Sequence, residues 1–494
     1  MNFRKLCFIA ILASGAAAAA PDAAAAGPLT EISTGYIPVC SPGIIRHYYI
    51  KSPELNANFT VDVWLPDCYE SRGEERHPVV YMHDGQNLFD PATSFAGVAW
   101  EVDLALGKLI EGDYIHAPIV VGIHNRGDLR PSDYIPEKAA TQYIAENDRN
   151  ASGMWSLVGN KFYGDEYMSF IANTLKPAVD AAFRTLDDAA NTFIMGSSMG
   201  GLASIYALCE YPDVFGGAAC LSTHWIGNFD YGNTIFPSAM IAYLTDALPD
   251  AATHRLYLDR GTVDLDSSYD KWEEIVRTLV RSKGYTEEAD NLMTYTDNGA
   301  SHNEIYWAAR VDRPLHFMLK SSDKPYTPSD PGEQTFHVIF QDSSKPWTRV
   351  NAFTWAMGVT QLGTWPGTKM QEIVYNGQQA WEISFTHKIE PSNIIFNNGS
   401  AQTADLDFKN EYVYDFKGPR EAISSGIDLP RTTEQTLLRV EGRTLIAETD
   451  ASRILQVHTV DGRSYSFVLS PGLNTITGLA PGLYISEGRK FIIR

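Results

Sequence analysis

The sequence predicts an α/β protein in which one large domain, built on a mostly parallel sheet, is followed by two small all-β domains. Three observations carry this expectation. From about residue 44 to 320, short apolar β-rich runs alternate with segments of helical periodicity. Those strand runs are apolar throughout, as strands covered on both faces must be, whereas a half-exposed sheet would alternate. Beyond residue 320 the composition changes. A stretch with Pro325, Pro328 and Pro331 reads as a linker, and the residues after it form short strand-like runs and turn signals without helical periodicity. The 494 residues are enough for about three domains of ordinary size. The expected division is a leader over 1–26, an α/β domain over 27–322, a β-sandwich over 333–417 and a third β-domain over 432–494.

The elements run in order along the chain. Arg4 and Lys5 precede an apolar run from Leu6 to Ala13, and alanine tracts follow at Ala16–Ala20 and Ala23–Ala26. Positive charge, a short apolar core and small residues make up a secretory signal peptide, so export is expected. Next come two strand-like runs, Ile44–Ile50 and Phe59–Leu65. If they pair antiparallel, Cys40 and Cys68 lie at the same end of the hairpin, and an exported protein could join them as a disulfide. Cys209 and Cys220 read as buried thiols. Buried strands are expected at Pro78–Met82, Pro118–Ile123, Thr192–Met195, Ala218–Leu221 and Leu256–Leu258. Helices are expected at Trp100–Leu109, Tyr167–Phe183, Gly201–Leu208 and Trp272–Val280. Between two core elements, Arg126–Tyr163 is long and carries Tyr134, Tyr143, Trp155 and Phe162, which suggests a cap over a site.

Charge excludes some functions. Lys and Arg number 39 against 60 Asp and Glu, a net −21, and such an acidic surface is a poor partner for nucleic acid or anionic lipid. No run is long enough to span a membrane in the mature chain. No Cys/His spacing resembles a zinc site, so neither metal nor cofactor is expected.

One motif carries chemistry. Gly196-Ser197-Ser198-Met199-Gly200 fits Gly-x-Ser-x-Gly, and it lies between the strand Phe193–Met195 and the helix that opens at Gly201. A strand–turn–helix setting of this kind is a nucleophile elbow, with Ser198 exposed at the turn and the Met199 N–H facing a developing oxyanion. In folds built on such an elbow the triad follows the chain order Ser, acid, His. Two post-strand loops supply the rest. Leu256–Leu258 leads to Asp264, and Thr294–Thr296 leads to His302. His302 would take the proton of Ser198, and Asp264 would orient the imidazole, with Asp266 and Asp259 as alternative acids. His224 and Trp225, after another strand, are candidates for the pocket wall.

These stretches resemble the esterase D, feruloyl esterase and siderophore esterase branch of the α/β-hydrolases. The resemblance rests on Tyr81–Asp90, the Gly196–Gly201 elbow, Tyr211–Gly216, Gly261-Thr262-x-Asp264, and Gly299-x-x-His302 with Trp307, and it covers roughly residues 40–320. It implies an ester hydrolase with the triad Ser198, Asp264 and His302, and a second oxyanion N–H from Gln86.

The middle domain carries Val350–Trp355, Thr364–Met370 and Ile394–Thr403. Sugar sites need open aromatic faces and amide or hydroxyl groups. These segments resemble starch-binding carbohydrate-binding modules of family 26 over about 80 residues. The resemblance implies a stacking platform of Phe353, Trp355 and Trp365, with Gln402 as a polar contact; Phe353 stands where a Tyr is common. The tail, with Val460–Arg463 and Gly478–Ile485, resembles the C-terminal sorting domain of secreted proteins of the Bacteroidetes, which implies passage through outer-membrane secretion machinery. Together these features predict an exported serine esterase acting on acetyl or feruloyl esters of a polysaccharide. A siderophore or other small-ester esterase, and a non-catalytic glycan-binding protein, are the alternatives.

Overall fold

The computed structural model describes residues 28–321, 324–328, 334–344, 347–356 and 359–423, and seven strands between Leu437 and Ile493. The expected signal peptide, part of the linker, and the turn at Asp461–Arg463 lie outside the described residues. Two compact units divide the chain, residues 1–331 and 332–494.

The first unit is built on nine strands: β1 (Thr30–Glu31), β2 (Ile44–Ser52), β3 (Ala57–Leu65), β4 (Val79–His83), β5 (Ile119–Ile123), β6 (Thr192–Ser197), β7 (Gly217–Leu221), β8 (Arg255–Arg260) and β9 (Leu292–Thr296). Their order is β1-β2-β3-β5-β4-β6-β7-β8-β9. β1, β2 and β3 join antiparallel at one edge, and β5 through β9 run parallel. Alternate residues of each strand feed two separate cores, because successive side chains point to opposite faces. Val79, Tyr81 and Ile194 enter one core, with helices α2 (through Gly164–Ser169, Phe170–Leu175 and Lys176–Ala182), α3 (Met199–Glu210), α4 (Ile235–Ala247) and α5 (Asp270–Ser282). Val80, Met82 and Met195 enter the other, together with Leu106 and Leu109 of the helix α1 (Val102–Glu111) and Leu315 of the helix α6 (Asp312–Leu319). Double coverage explains the apolar strand runs. α4 was not expected from the sequence; its apolar residues are spread around the helix rather than gathered into one stripe. Among the described residues, no helix is long and apolar enough to cross a membrane.

Two expectations are corrected. The two strands do pair antiparallel, with Ile44 opposite Leu65, yet Cys40 and Cys68 are free thiols. The chain between Cys40 and the hairpin is tied elsewhere. Ser41 N–H donates to Asp103, Gly43 N–H donates to Asp67, and the Trp64 indole, which donates to the Pro42 carbonyl, packs under this turn. Cys40 packs into the core around Trp64, where burial pushes its thiol up to about 11. The second correction concerns Arg126–Tyr163. Its apolar side chains go largely into the core rather than over the cavity: Tyr134, Ile135, Ala139, Ala140, Ile144 and Met154 are buried beside α3 and α4. Lys138 N–H donates to Tyr206 OH at 3.2 Å, and Asn228 donates to the Ser152 carbonyl at 2.6 Å.

In the second unit, residues 334–423 form two facing sheets, the expected sandwich. One contains β10 (Gln334–Phe340) at its centre, and the other contains β11 (Asn351–Ala356) paired with the strand Asn393–Asn397. Phe336, Phe340, Phe396 and Tyr414 fill the space between them. The C-terminal strands form a three-stranded and a four-stranded sheet around Leu445, Leu455, Val457 and Leu469.

Candidate active site

β6 ends in the elbow. Ser198 sits at φ 58°, ψ −123°, between the strand and the first residue of α3, Met199. A side chain on Gly196 would put its Cβ 2.8 Å from the Gly200 backbone, so the turn closes only around glycine. The Ser198 N–H donates to the Leu221 carbonyl at 2.9 Å, and the Ser198 carbonyl accepts from His224 N–H at 3.1 Å. These bonds hold a strained residue between β6 and β7. Met199 opens the helix, so its N–H has no acceptor within α3 and is available to an oxyanion.

Ser198 and His302 both line a cavity of about 560 Å³ at the carboxyl ends of the parallel strands. His302 Nδ1 lies 2.5 Å from Asp266 Oδ1. This corrects the expected acid. Asp264 is exposed, and its carboxylate accepts from Ser301 Oγ instead of from the imidazole. The reason is the backbone path after β8. Thr262 and Val263 N–H both donate to the Ala300 carbonyl, Asp264 takes φ 49°, and a single 3₁₀ turn over Asp264–Ser268 swings Asp266 inward. Asp266 is fully buried, and its other oxygen accepts from Ser222 Oγ at 2.7 Å and Gly261 N–H at 2.6 Å. Burial alone would raise this carboxyl, but the His302, Ser222 and Arg310 partners hold it below its ordinary value. Asp259, the other alternative, is committed to Arg310, which it binds at 2.9 and 3.1 Å.

Around the imidazole the packing is aromatic. Trp307 and Tyr269 meet the His302 ring edge-on, with centroids 5.0 and 5.7 Å away. Trp307 Nε1 and Arg310 donate to Ser222 Oγ at 3.0 and 2.8 Å, and Ser222 in turn donates to Asp266. Ser222 and Arg310 escaped sequence reasoning; the one available signal was Ser222's place at the end of β7. His224 and Trp225 do not line the cavity. Both are buried, with His224 against Tyr269 OH at 2.7 Å and burial pushing it down to about 3.

Gln86 lines the opposite wall, in a 3₁₀ turn over Gly85–Asn87. Its turn is fixed by Asp84, which is buried in the left-handed region at φ 56°. Arg130 binds both Asp84 oxygens at 2.8 Å, and Asn125 Nδ2 adds a third bond at 2.7 Å. Asn125 N–H also donates to Gln86 Oε1 at 3.3 Å. Burial opposes the Asp84 charge, but the Arg130 guanidinium outweighs it and holds the carboxyl below the usual range. Gly127, Asp128 and Arg130 are the part of the long segment that reaches the cavity. Phe95 and Trp100 supply an apolar wall, and Glu304, whose carboxyl burial raises, sits near His302. A serine in an elbow, an imidazole oriented by a buried carboxylate, and helix-end N–H donors can together form and hydrolyse an acyl-enzyme.

In the sandwich, Phe353 and Trp355 lie on the outer face of β11, while Ala352, Thr354 and Ala356 between and beside them are buried. The Phe353 ring is 5.6 Å from Trp355 and 5.5 Å from Trp365, and Trp365 is 51% exposed. A Cβ on Gly367 would lie 2.0 Å from the Ala352 carbonyl, so glycine lets the Trp365 turn lie against β11. Asn397 Nδ2 donates to the Pro366 carbonyl at 2.9 Å and anchors the same turn. Gln402 is exposed, across a bridge from Asn397.

Two family models match the chain. The family model described as "Putative esterase" matches residues 52–318, and "Starch-binding module 26" matches residues 338–408. The uncharacterized protein YbbA of Bacillus subtilis (strain 168) is 24% identical over 269 residues, which are 53% of this chain and 92% of YbbA. A solved ferulic acid esterase is 17% identical, with a TM-score of 0.42, over 56% of this chain and 98% of its own. The enterobactin esterase FES from Shigella flexneri is 15% identical, with a TM-score of 0.41, over 57% of this chain and 60% of its own. With more than half of its length matched and a hydrolase sheet beneath the match, the chain is a carboxylic ester hydrolase of α/β-hydrolase fold and belongs to the Putative esterase family.

Proposed function

We propose that this protein is an exported esterase that removes acyl groups, acetyl or feruloyl, from a polysaccharide, with Ser198 as nucleophile, His302 as general base and acid, and Asp266 as the orienting carboxylate. Ser198 Oγ attacks the ester carbonyl and passes its proton to His302 Nε2. The oxyanion is met by the Met199 and Gln86 N–H groups, the alcohol leaves with the proton, and water repeats the sequence on the acyl-enzyme. The observation that carries the reading is a single chain with an elbow serine and His302 in one cavity, His302 bonded from behind by the buried Asp266, and, after a linker, a matched starch-binding module with three rings clustered on its outer face. Phe353, Trp355 and Trp365 are assigned as the stacking platform and Gln402 as its polar neighbour. Export is supported by the leader pattern over residues 1–26, and the C-terminal β-domain is read as the segment handled by outer-membrane secretion machinery.

The test is incubation of the purified full chain with acetylated and feruloylated polysaccharides, including acetylated starch, with released acids quantified. Acid release that falls when the starch-binding module is blocked by soluble maltooligosaccharide supports the reading. Hydrolysis of p-nitrophenyl acetate with no acid released from any polymer would sink the polysaccharide assignment and leave a small-ester hydrolase.

A further inference from the structure

Away from the cavity, three side chains from adjacent strands converge. His47 on β2 stands directly opposite Asp62 on β3, and Asp62 in turn stands opposite Gly122 on β5. His124 lies two residues beyond Gly122, so it returns to the same face of the sheet. One Asp62 oxygen meets His47 Nδ1, and the other lies 2.6 Å from His124 Nε2. The three ligand atoms all lie within 4.8 Å of one another.

We propose that His47, Asp62 and His124 bind a divalent transition metal of the zinc class. Asp62 is 1% exposed, and among the described residues its ion-pair partners are these two histidines alone. Each imidazole can donate one N–H to it, but in its neutral form brings no positive charge, and a buried carboxylate without a counter-charge is costly. A divalent cation between the three groups supplies that charge, with His47 then carrying its proton on Nε2 and His124 on Nδ1. Two imidazole nitrogens and one carboxylate are a donor set that zinc takes, with the fourth position left to water. Tetrahedral zinc needs its donors roughly 3.3 Å apart at ordinary bond lengths, so both Asp62–His contacts would open by several tenths of an ångström or more, and ligand atoms now up to 4.8 Å apart would draw together around the ion. The rings are partly exposed, His47 10% and His124 20%, which gives the ion a way in and the water a place. The sequence expectation of no metal came from spacing along the chain. Here the spacing lies across strands, where no linear motif shows it.

Bound there, the metal joins β2 and β3 to the end of β5. The next residue, Asn125, holds both Asp84 and the Gln86 side chain. The site is therefore a structural tie behind the oxyanion wall, and it makes no contact with the substrate.

Chelator-treated full-length protein should take up one equivalent of Zn²⁺ by calorimetry at this site, with a rise in the melting temperature of the esterase domain. His47→Ala and His124→Ala should each weaken that uptake by more than about tenfold and abolish the thermal rise. Uptake and thermal rise that are unchanged in both variants would overturn the site, as would absence of uptake by the wild type. If the variants do not fold, zinc-edge anomalous diffraction from zinc-soaked wild-type crystals decides. A peak among the three side chains supports the site, and its absence at saturating zinc refutes it.

Discussion

The catalytic cavity and the outer face of the sandwich solve opposite problems with similar materials. In the cavity, every acting group is held from behind. His302 is bonded to Asp266, which accepts from Ser222, itself held by Trp307 and Arg310. On the sandwich the three rings touch mainly one another, and Trp365 is half exposed. Bond cleavage requires atoms fixed to within fractions of an ångström, so the groups are buried and hydrogen-bonded. Under the proposed function the three rings retain a polymer, which requires flat apolar area open to solvent, and they do sit outside a core made by other residues. Substitutions in the first region should therefore act on rate, and those in the second on binding alone.

The largest effect should come from Ser198→Ala. The folded variant should lose at least about three decades of esterase activity, because Ser198 is the serine at the elbow turn while its neighbour Ser197 is buried as the last residue of β6, and starch binding should be untouched. Near wild-type turnover of p-nitrophenyl acetate would break the comparison at its first term.

The next test separates two carboxylates. Asp266→Asn should lower kcat by about 10³- to 10⁴-fold with little change in KM, as expected when the imidazole loses its orienting charge. Asp264→Asn should stay within about a few-fold of wild type, since that carboxylate faces Ser301 and solvent. If the two variants exchanged these outcomes, the hydrogen-bond geometry around His302 would be the wrong guide to catalysis.

This pair also marks how far the sequence could be read. The parallel strands were legible because burial on both faces leaves an apolar run, and the elbow was legible because its glycines and flanking elements are local. Asp264 and Asp266 both lie in one post-strand turn. Which of them faces His302 depends on φ at Asp264 and on two N–H bonds to Ala300, neither of which has a pattern in residue types. Arg130 reaches Asp84 across 46 residues, and His47, Asp62 and His124 come from three strands. Long-range pairing of this kind leaves no periodic trace. The cysteine pair failed for a related reason. The antiparallel pairing of the hairpin was legible, but Trp64 and Asp103 direct the chain before it. On the sandwich, alternation did carry information, since Phe353 and Trp355 share one face of β11 and the buried alanines share the other.

That alternation gives the third prediction. Trp365→Ala should lower affinity for starch by at least about tenfold, a loss of about 1.4 kcal/mol, with no change in hydrolysis of a soluble ester or in the melting temperature. Phe396→Ala, in the core of the same sandwich, should instead destabilise it by about 3–5 kcal/mol. Affinity-gel retardation and a thermal melt of both variants read the difference. Unfolding of the module in Trp365→Ala would place the ring among core residues and remove the contrast with the cavity.

The smallest effect is a difference of sign with pH. In the esterase domain the Asp84 and Asp266 carboxyls are held below their ordinary values despite burial, by Arg130 in one case and by His302 and Ser222 in the other. A group depressed on folding contributes stability that is present above its unfolded pKa, ~3.9 for Asp, and is lost as pH falls through the folded value. In the sandwich His337 is raised, first by its bond with Glu382, then against burial by Glu411. A raised histidine contributes stability that is complete below its unfolded pKa, ~6.5, and is lost as pH rises through the folded value. The Asp84 and Asp266 contributions to the esterase domain should therefore be lost on strong acidification, below about pH 4, while the sandwich should melt at a slightly lower temperature at pH 8 than at pH 5.5. His337 is partly exposed and screened, so the second shift should be a few °C at most. His337→Gln should remove it without touching the acid limb of the esterase domain. Asp84→Asn should blunt that limb and leave the sandwich as it was. Calorimetric scans of the full chain at these pH values follow both transitions. A sandwich transition that rises with pH, or one indifferent to His337→Gln, would show that the two regions do not differ in the sense argued from their buried charges.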